Sequence, residues 1–255
     1  AIQAIQDQVG DKDVFVLVSG GVDSSVTAAL LLKALGPEKV YAVHIDSGFM
    51  RHQESDLVCG ALQAVGLKHL QRLNAQEQFL NGMTDIDGVR IGPLNSVTDP
   101  EQKRRIIGDV FYHLIQQAIE EMDLNMDDAF IAQGTLRPDL IESGNPDIST
   151  GAHTIKTHHN DVPLIQAHRK KGLIIEPNRD LHKDEVREVG RKLGLPEALV
   201  ARQPFPGPGL AIRILCTDEP YITPEFNQIQ TQLNTLTDNT PFEAYLLPTR
   251  SVGVQ

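Results

Sequence analysis

The sequence predicts an α/β protein: a doubly wound parallel sheet, followed by a second, smaller and incomplete α+β unit. Three observations predict it. Residues 14–18 form a continuous apolar run, the pattern of a strand buried on both faces. Strand, turn and helix then alternate, a rhythm that implies right-handed crossovers in one parallel sheet. Finally, residues 202–213 change texture to repeated Pro and Gly, which forbid both helix and central strand. That change divides the chain into residues 1–203 and 204–255.

The first helix spans residues 1–9, with Ile2, Ile5 and Val9 at helical spacing and Gly10 as its stop. Strand 14–18 leads into a turn rich in Gly and Ser: Ser19, Gly20, Gly21, Val22, Asp23, Ser24 and Ser25. A helix over 26–35 follows and stops at Gly36 and Pro37. The second strand is 40–46, turned by Ser47 and Gly48. Helix 51–65 ends at Gly66, and 68–73 is the third strand. Residues 81–100 carry Gly82, Gly88, Gly92, Pro93 and Pro100, too long a stretch for an ordinary connection. It reads as a lid over a reacting nucleotide or as a disordered insertion.

The apolar stripe Ile106, Ile107, Val110, Phe111, Leu114, Ile115, Ala118 and Ile119 predicts a helix over 101–122. Its first turn holds Lys103, Arg104 and Arg105, the wrong sign for the helix dipole. Such a local violation marks either a site or a solvated charged turn. Residues 129–134 and 173–177 are the fourth and fifth strands, and 183–193 is a helix. Between those strands, neighbouring His158 and His159 face opposite ways in an extended segment, which argues against a metal pair. Lys156 reads as a phosphate contact. Beyond 204, residues 210–215 begin a strand, 221–237 are polar, and 242–247 and 251–254 read as short strands.

The chemistry sits at the first turn. The opening amides of a helix have no intrahelical partner, and the dipole adds positive charge there. Gly20 and Gly21 let backbone approach an anion, and the serines add hydroxyls. No lysine follows the glycines; Asp23 stands there instead. A carboxylate beside phosphate needs a cation between them, and Mg²⁺ held by Asp23 and phosphate oxygens meets that need. The plain alternative is a strand–helix turn with a buried Asp. In doubly wound sheets ligands bind beyond the strand carboxyl ends, so a nucleotide here has its base near Ile45, read by backbone.

The chain has 255 residues, 40% of them hydrophobic, and no run long enough for a membrane span. Its net charge of −11 argues against broad nucleic-acid binding. Cys59 and Cys216 are far apart, which suggests free thiols in a reducing, cytoplasmic setting.

The stretch Ser19 to Ser25 resembles the phosphate loop of the N-type ATP pyrophosphatases, whose fold is adenine nucleotide alpha hydrolase-like. Members cleave ATP to AMP and pyrophosphate. Residues 134–143, 155–160, 182–187, 204–210 and 247–255 resemble one branch specifically, the glutamine-hydrolysing GMP synthetases. NAD synthetase is the alternative within the superfamily. The GMP synthetase resemblance implies a ligase of purine biosynthesis: XMP, ATP and ammonia give GMP, AMP and pyrophosphate. It implies Asp23 and Lys156 as catalytic, Ser19 to Ser25 and Ile45 as ATP-binding, and Arg104 and Gln255 as XMP-binding. It also implies a homodimer, ammonia from a glutaminase domain or subunit outside this sequence, and a dimerisation unit that continues past Gln255.

Overall fold

The computed structural model describes residues 1–122, 124–137, 163–203, 209–213 and 219–249. The strands are β1 (Val14–Leu17), β2 (Val40–Asp46), β3 (His69–Asn74), β4 (Thr84–Ile86), β5 (Val89–Ile91), β6 (Phe130–Ala132) and β7 (Ile174–Ile175). Five of them form one parallel sheet in the order β3-β2-β1-β6-β7, with Val14 opposite Val40 on one side and Phe130 on the other. Chain order reverses at β1, so the crevice for a ligand opens beyond its carboxyl end.

The helices are α1 (Ile2–Val9), α2 (Val22–Leu35), α3 (Glu54–Ala64), α4 (Gln76–Leu80), α5 (Pro100–Glu121), α6 (Pro163–Lys170), α7 (Lys183–Lys192), α8 (Glu197–Val200), α9 (Leu210–Arg213) and α10 (Phe226–Thr237). The period-2 alternation of β1 sorts them into two layers. Val14 and Val16 face α1, α2, α3, α7 and α8; Phe15 faces α4 and α5 with Val43, Ile45 and Phe79. Helix α2 is buried nearly all round, which fixes its amino end firmly against the sheet. Among the described residues no helix is long and apolar enough to cross a membrane.

Four expectations change. Helix α2 begins at Val22, not at 26, because Gly21 is its N-cap. Residues 81–100 are neither a free lid nor a disordered insertion. They form the β4–β5 hairpin and a short 3-10 turn, with Leu94 and Val97 buried, and Thr84 Oγ1 donating to Asp109 of α5. Asp99 then caps α5, accepting from the Gln102 amide at 2.9 Å, with Pro100 in the first turn. Residues 210–213 are helical, not a strand. A short apolar run does not distinguish the two, and docking decides it: the Leu210 amide bonds the Phe49 carbonyl at 2.8 Å and Ala211 is buried against the α5 layer. Residues 242–247 pair with no strand among the described residues. Instead the Gln230 side chain takes the Leu246 amide (2.6 Å) and gives to the Ala244 carbonyl (2.8 Å). The expected strand 251–254 lies outside the described residues.

Candidate active site

Four strand ends build one crevice. From β1 the chain passes through Ser19 and Gly20 to the Gly21 cap. Gly20 has φ +87°, a conformation that side chains resist. The first intrahelical bond of α2 is Ser25 N–H to Gly21 O at 3.2 Å, so the amides of Val22, Asp23 and Ser24 precede it. Ser24 Oγ lies 3.2 Å from Ser19 Oγ. Ser25 turns inward, fully buried, its hydroxyl on Gly21 O at 2.9 Å. Its part is to pin the first turn. Val22 is buried too, which leaves its amide as what it offers.

From β6, Gly134 forms the facing wall. A Cβ there would stand 3.1 Å from Ser24 N and 3.2 Å from Asp23 C. A side chain there would crowd the start of α2, so glycine suits this close approach. From β7, Glu176 accepts from Thr135 Oγ1 (2.8 Å), and the fully buried Asn178 donates to Thr27 Oγ1 (2.8 Å) and to the Asp23 carbonyl (3.2 Å). From β2 come Asp46 and Gly48. Burial works against the Asp46 carboxylate, but the Gly48 amide and the Arg72 guanidinium at 2.7 Å outweigh it and hold its pKa below the usual value.

Asp23 sits in the first turn of α2. Its Oδ2 lies 2.6 Å from the ammonium of Lys183, the first residue of α7, while Oδ1 is buried with no hydrogen-bond partner. One carboxylate oxygen is thus paired and the other is buried without a partner. The lysine missing beside the glycines in sequence is supplied in space from the other end of the sheet. The stretch 182–187 was the available signal, though no spacing rule pairs it with Asp23.

Two further residues escaped sequence reasoning. His44 is buried beneath the loop, with Nδ1 2.7 Å from the Val18 carbonyl; burial pushes its pKa down. Arg202 donates to the Gly20 carbonyl and pairs with the buried Glu54 at 2.5 Å; burial lowers its pKa as well. Ile45 points its side chain into the α5 layer, so only its backbone faces the crevice edge. Arg104 is partly exposed in the first turn of α5 and is paired with Glu101. Its neighbour Lys103 is buried on the core face of the helix. Lys156, His158, His159 and Gln255 lie outside the described residues.

The family model described as NAD synthase matches residues 2–77, which hold β1, the loop, α2, β2 and β3. That match covers the amino-terminal part of the sheet and the loop that follows β1. Its relatives include the GMP synthase [glutamine-hydrolyzing] of Dictyostelium discoideum, 53% identical over 222 residues, 87% of this chain and 31% of that protein. The enzyme of the same name from Lactobacillus acidophilus is 48% identical over 214 residues, 84% of this chain and 37% of its own. The probable GMP synthase of Leptospira interrogans serovar copenhageni is 41% identical across all 255 residues, 39% of its length. The chain therefore spans about a third of the length of these relatives. The structure of NMN synthetase from Francisella tularensis has the same fold, with a TM-score of 0.52 at 16% identity, covering 82% of this chain and 75% of that one.

Proposed function

We propose that this chain adenylylates XMP with ATP and presents it to ammonia, giving GMP, AMP and pyrophosphate. The observation that carries the reading is the 53% identity to a GMP synthase over 87% of the chain. The crevice supports it. Amides of Val22 to Ser24 and hydroxyls of Ser19 and Ser24 converge where the β- and γ-phosphates of ATP would lie, and charge accumulates there as pyrophosphate leaves.

One buried, unpartnered oxygen of Asp23 fits Mg²⁺ shared with phosphates, and not an all-protein cage. Among the described residues no three His, Cys, Asp or Glu side chains converge on a metal. Bound at Asp23, the ion would neutralise charge on the phosphates. In the proposed first step the C2 oxygen of XMP bonds to the α-phosphorus and the α–β bridge breaks, releasing pyrophosphate. Ammonia then bonds to C2 and AMP departs. Lys183 holds Asp23 in place and lies ready to follow the released negative charge. We assign Lys156 to the phosphates, Ile45 to the adenine through its backbone, and Arg104 and Gln255 to XMP.

We also propose a division at 203/204, with residues 204 onward joining a second copy. Support comes from α10, which buries no residue, and from the exposed Ile222, Leu236, Phe242, Tyr245 and Leu247. The ammonia source we assign to a glutaminase. The second reading, an NAD synthetase-like enzyme, draws on the match of residues 2–77. Pyrophosphate release decides between them. XMP should trigger it, and release triggered by deamido-NAD but not by XMP would overturn the first reading.

A further inference from the structure

The carbonyls of Val18 and Gly20, the residues on either side of Ser19, are both held through side chains tied to the first turn of α3. His44, fully buried on β2, sets Nδ1 2.7 Å from the Val18 carbonyl and Nε2 2.9 Å from Ser55 Oγ. A carbonyl only accepts, so Nδ1 carries the proton and Nε2 accepts from the Ser55 hydroxyl. The residue before Ser55 is Glu54, whose side chain is 3% exposed. It accepts from the Arg51 amide at 2.7 Å and holds Arg202 at 2.5 Å, and Arg202 donates to the Gly20 carbonyl. Adjacent residues in the first turn of α3 thus each reach the loop through one intermediary.

The consequence follows from peptide geometry. A trans peptide is planar, and its C=O and the next N–H point opposite ways. Turning the Val18 and Gly20 carbonyls toward α3 turns the Ser19 and Gly21 amides away from it. The Gly21 amide indeed points that way, donating a long hydrogen bond of 3.5 Å to Ser19 Oγ, which in turn lies 3.2 Å from Ser24 Oγ. We propose that His44–Ser55 and Arg202–Glu54 form a two-armed clamp that aims the Ser19 and Gly21 amides at the phosphates of ATP, an inference that rests on reading this loop as the ATP site. These are positioning residues. The carboxylate of Glu54 offsets the Arg202 charge, so the arm contributes direction more than attraction. A buried ion pair of this kind adds little net stability; its value here is geometric. The imidazole arm works in its neutral form, the form that burial favours.

The test uses the whole 255-residue chain and two probes, Mg-ATP and inorganic pyrophosphate, by titration calorimetry, with thermal melts as the check on folding. Ser55→Ala and His44→Leu are expected to weaken both probes by about tenfold, one hydrogen bond's worth in a preorganised site. His44→Asn, whose amide places a donor where Nδ1 stood, is expected to recover most of that loss. If His44→Leu does not fold, Ser55→Ala, which removes a single hydroxyl, decides. Wild-type affinity in Ser55→Ala, or a His44→Asn variant as weak as His44→Leu, overturns the clamp. A wild-type chain that binds neither probe overturns the ATP-site reading itself, which is a separate and visible result.

Discussion

Lys183 Nζ stands 2.6 Å from Asp23 Oδ2 across 160 positions of sequence. The pair ties the start of α7 to the start of α2, and two helix amino ends therefore face one crevice. Asn178 reinforces the tie through the Asp23 carbonyl and Thr27. Lys183 thus orients the carboxylate through Oδ2 while Asn178 and Thr27 fix the Asp23 backbone carbonyl, a preorganisation of the kind that electrostatic catalysis needs.

Asp23→Asn is expected to abolish ATP-to-pyrophosphate turnover while the melting temperature stays within a few degrees. The ion pair is partly exposed, with side chains 25% and 37% accessible, so its loss costs about 1 kcal/mol or less. Pyrophosphate release at saturating Mg²⁺, read beside a melt, checks both halves. Undiminished turnover removes Asp23 from the mechanism.

Lys183→Met is expected to lower turnover by roughly 10²–10³-fold, the loss typical of one preorganised donor. Lys183→Arg should restore little, because a planar fork does not replace a compact ammonium in a 2.6 Å contact. Single-turnover pyrophosphate release separates the chemical step from binding. An arginine variant as fast as wild type would reduce Lys183 to a generic positive charge.

Much of this site was legible because it is local. The apolar run before Ser19 and the Gly and Ser residues after it announce strand and turn together, and with them the proposed anion site. The helix start was misplaced because Ser24 and Ser25 have loop-like composition, yet both hydroxyls bond back to Gly21 O inside the helix, at 3.2 and 2.9 Å. Periodicity also found α5, but it could not show that Lys103 sits on the buried face one turn before Ile106 and Ile107. The Asp23–Lys183 and Gly20–Arg202 contacts join residues far apart in sequence, and a single sequence carries no signal of such pairing. Residues 81–100 misled for a related reason: their glycines serve a tight hairpin against α5. A Cβ on Gly82 would meet Val110 at 2.6 Å.

Stability should fall in acid through His44. Burial holds its folded pKa below the ordinary 6.5, so below that value the unfolded chain binds more protons than the folded one. Stability from this group is fully present above pH 6.5 and is lost as pH falls from there toward the folded pKa. The slope is at most about 1.4 kcal/mol per pH unit. Urea midpoints at neutral and mildly acidic pH, compared between wild type and His44→Asn, isolate it. A variant whose midpoint falls as steeply as that of wild type would show that other groups carry the acid sensitivity.

The last prediction concerns the proposed substrate XMP, which would bring a 5′-phosphate and an acidic purine to a chain of net charge −11. Helix α5 is part of the crossover that follows β3 and returns to the parallel strand β6. It runs against the strands, so its first turn lies at the same sheet edge as the phosphate loop. That turn presents Arg104, 41% accessible and paired with Glu101 at i,i+3. A guanidinium grips a phosphate bidentately where a lysine cannot. Arg104→Lys is therefore expected to cost roughly 1.5–3 kcal/mol, about tenfold to a hundredfold in kcat/KM for XMP, with Mg-ATP affinity little changed. The existing ion pair adds a second, opposite test. In the proposed site XMP would displace Glu101 to reach Arg104, and an exposed pair of this kind is worth up to about 1 kcal/mol. Glu101→Gln should then lower the KM for XMP by up to about fivefold. Steady-state kinetics with each substrate varied in turn reads both changes. If Arg104→Lys weakens ATP and spares XMP, Arg104 belongs to the ATP site. If Glu101→Gln raises the XMP KM instead, the carboxylate is itself a substrate contact and not a competitor.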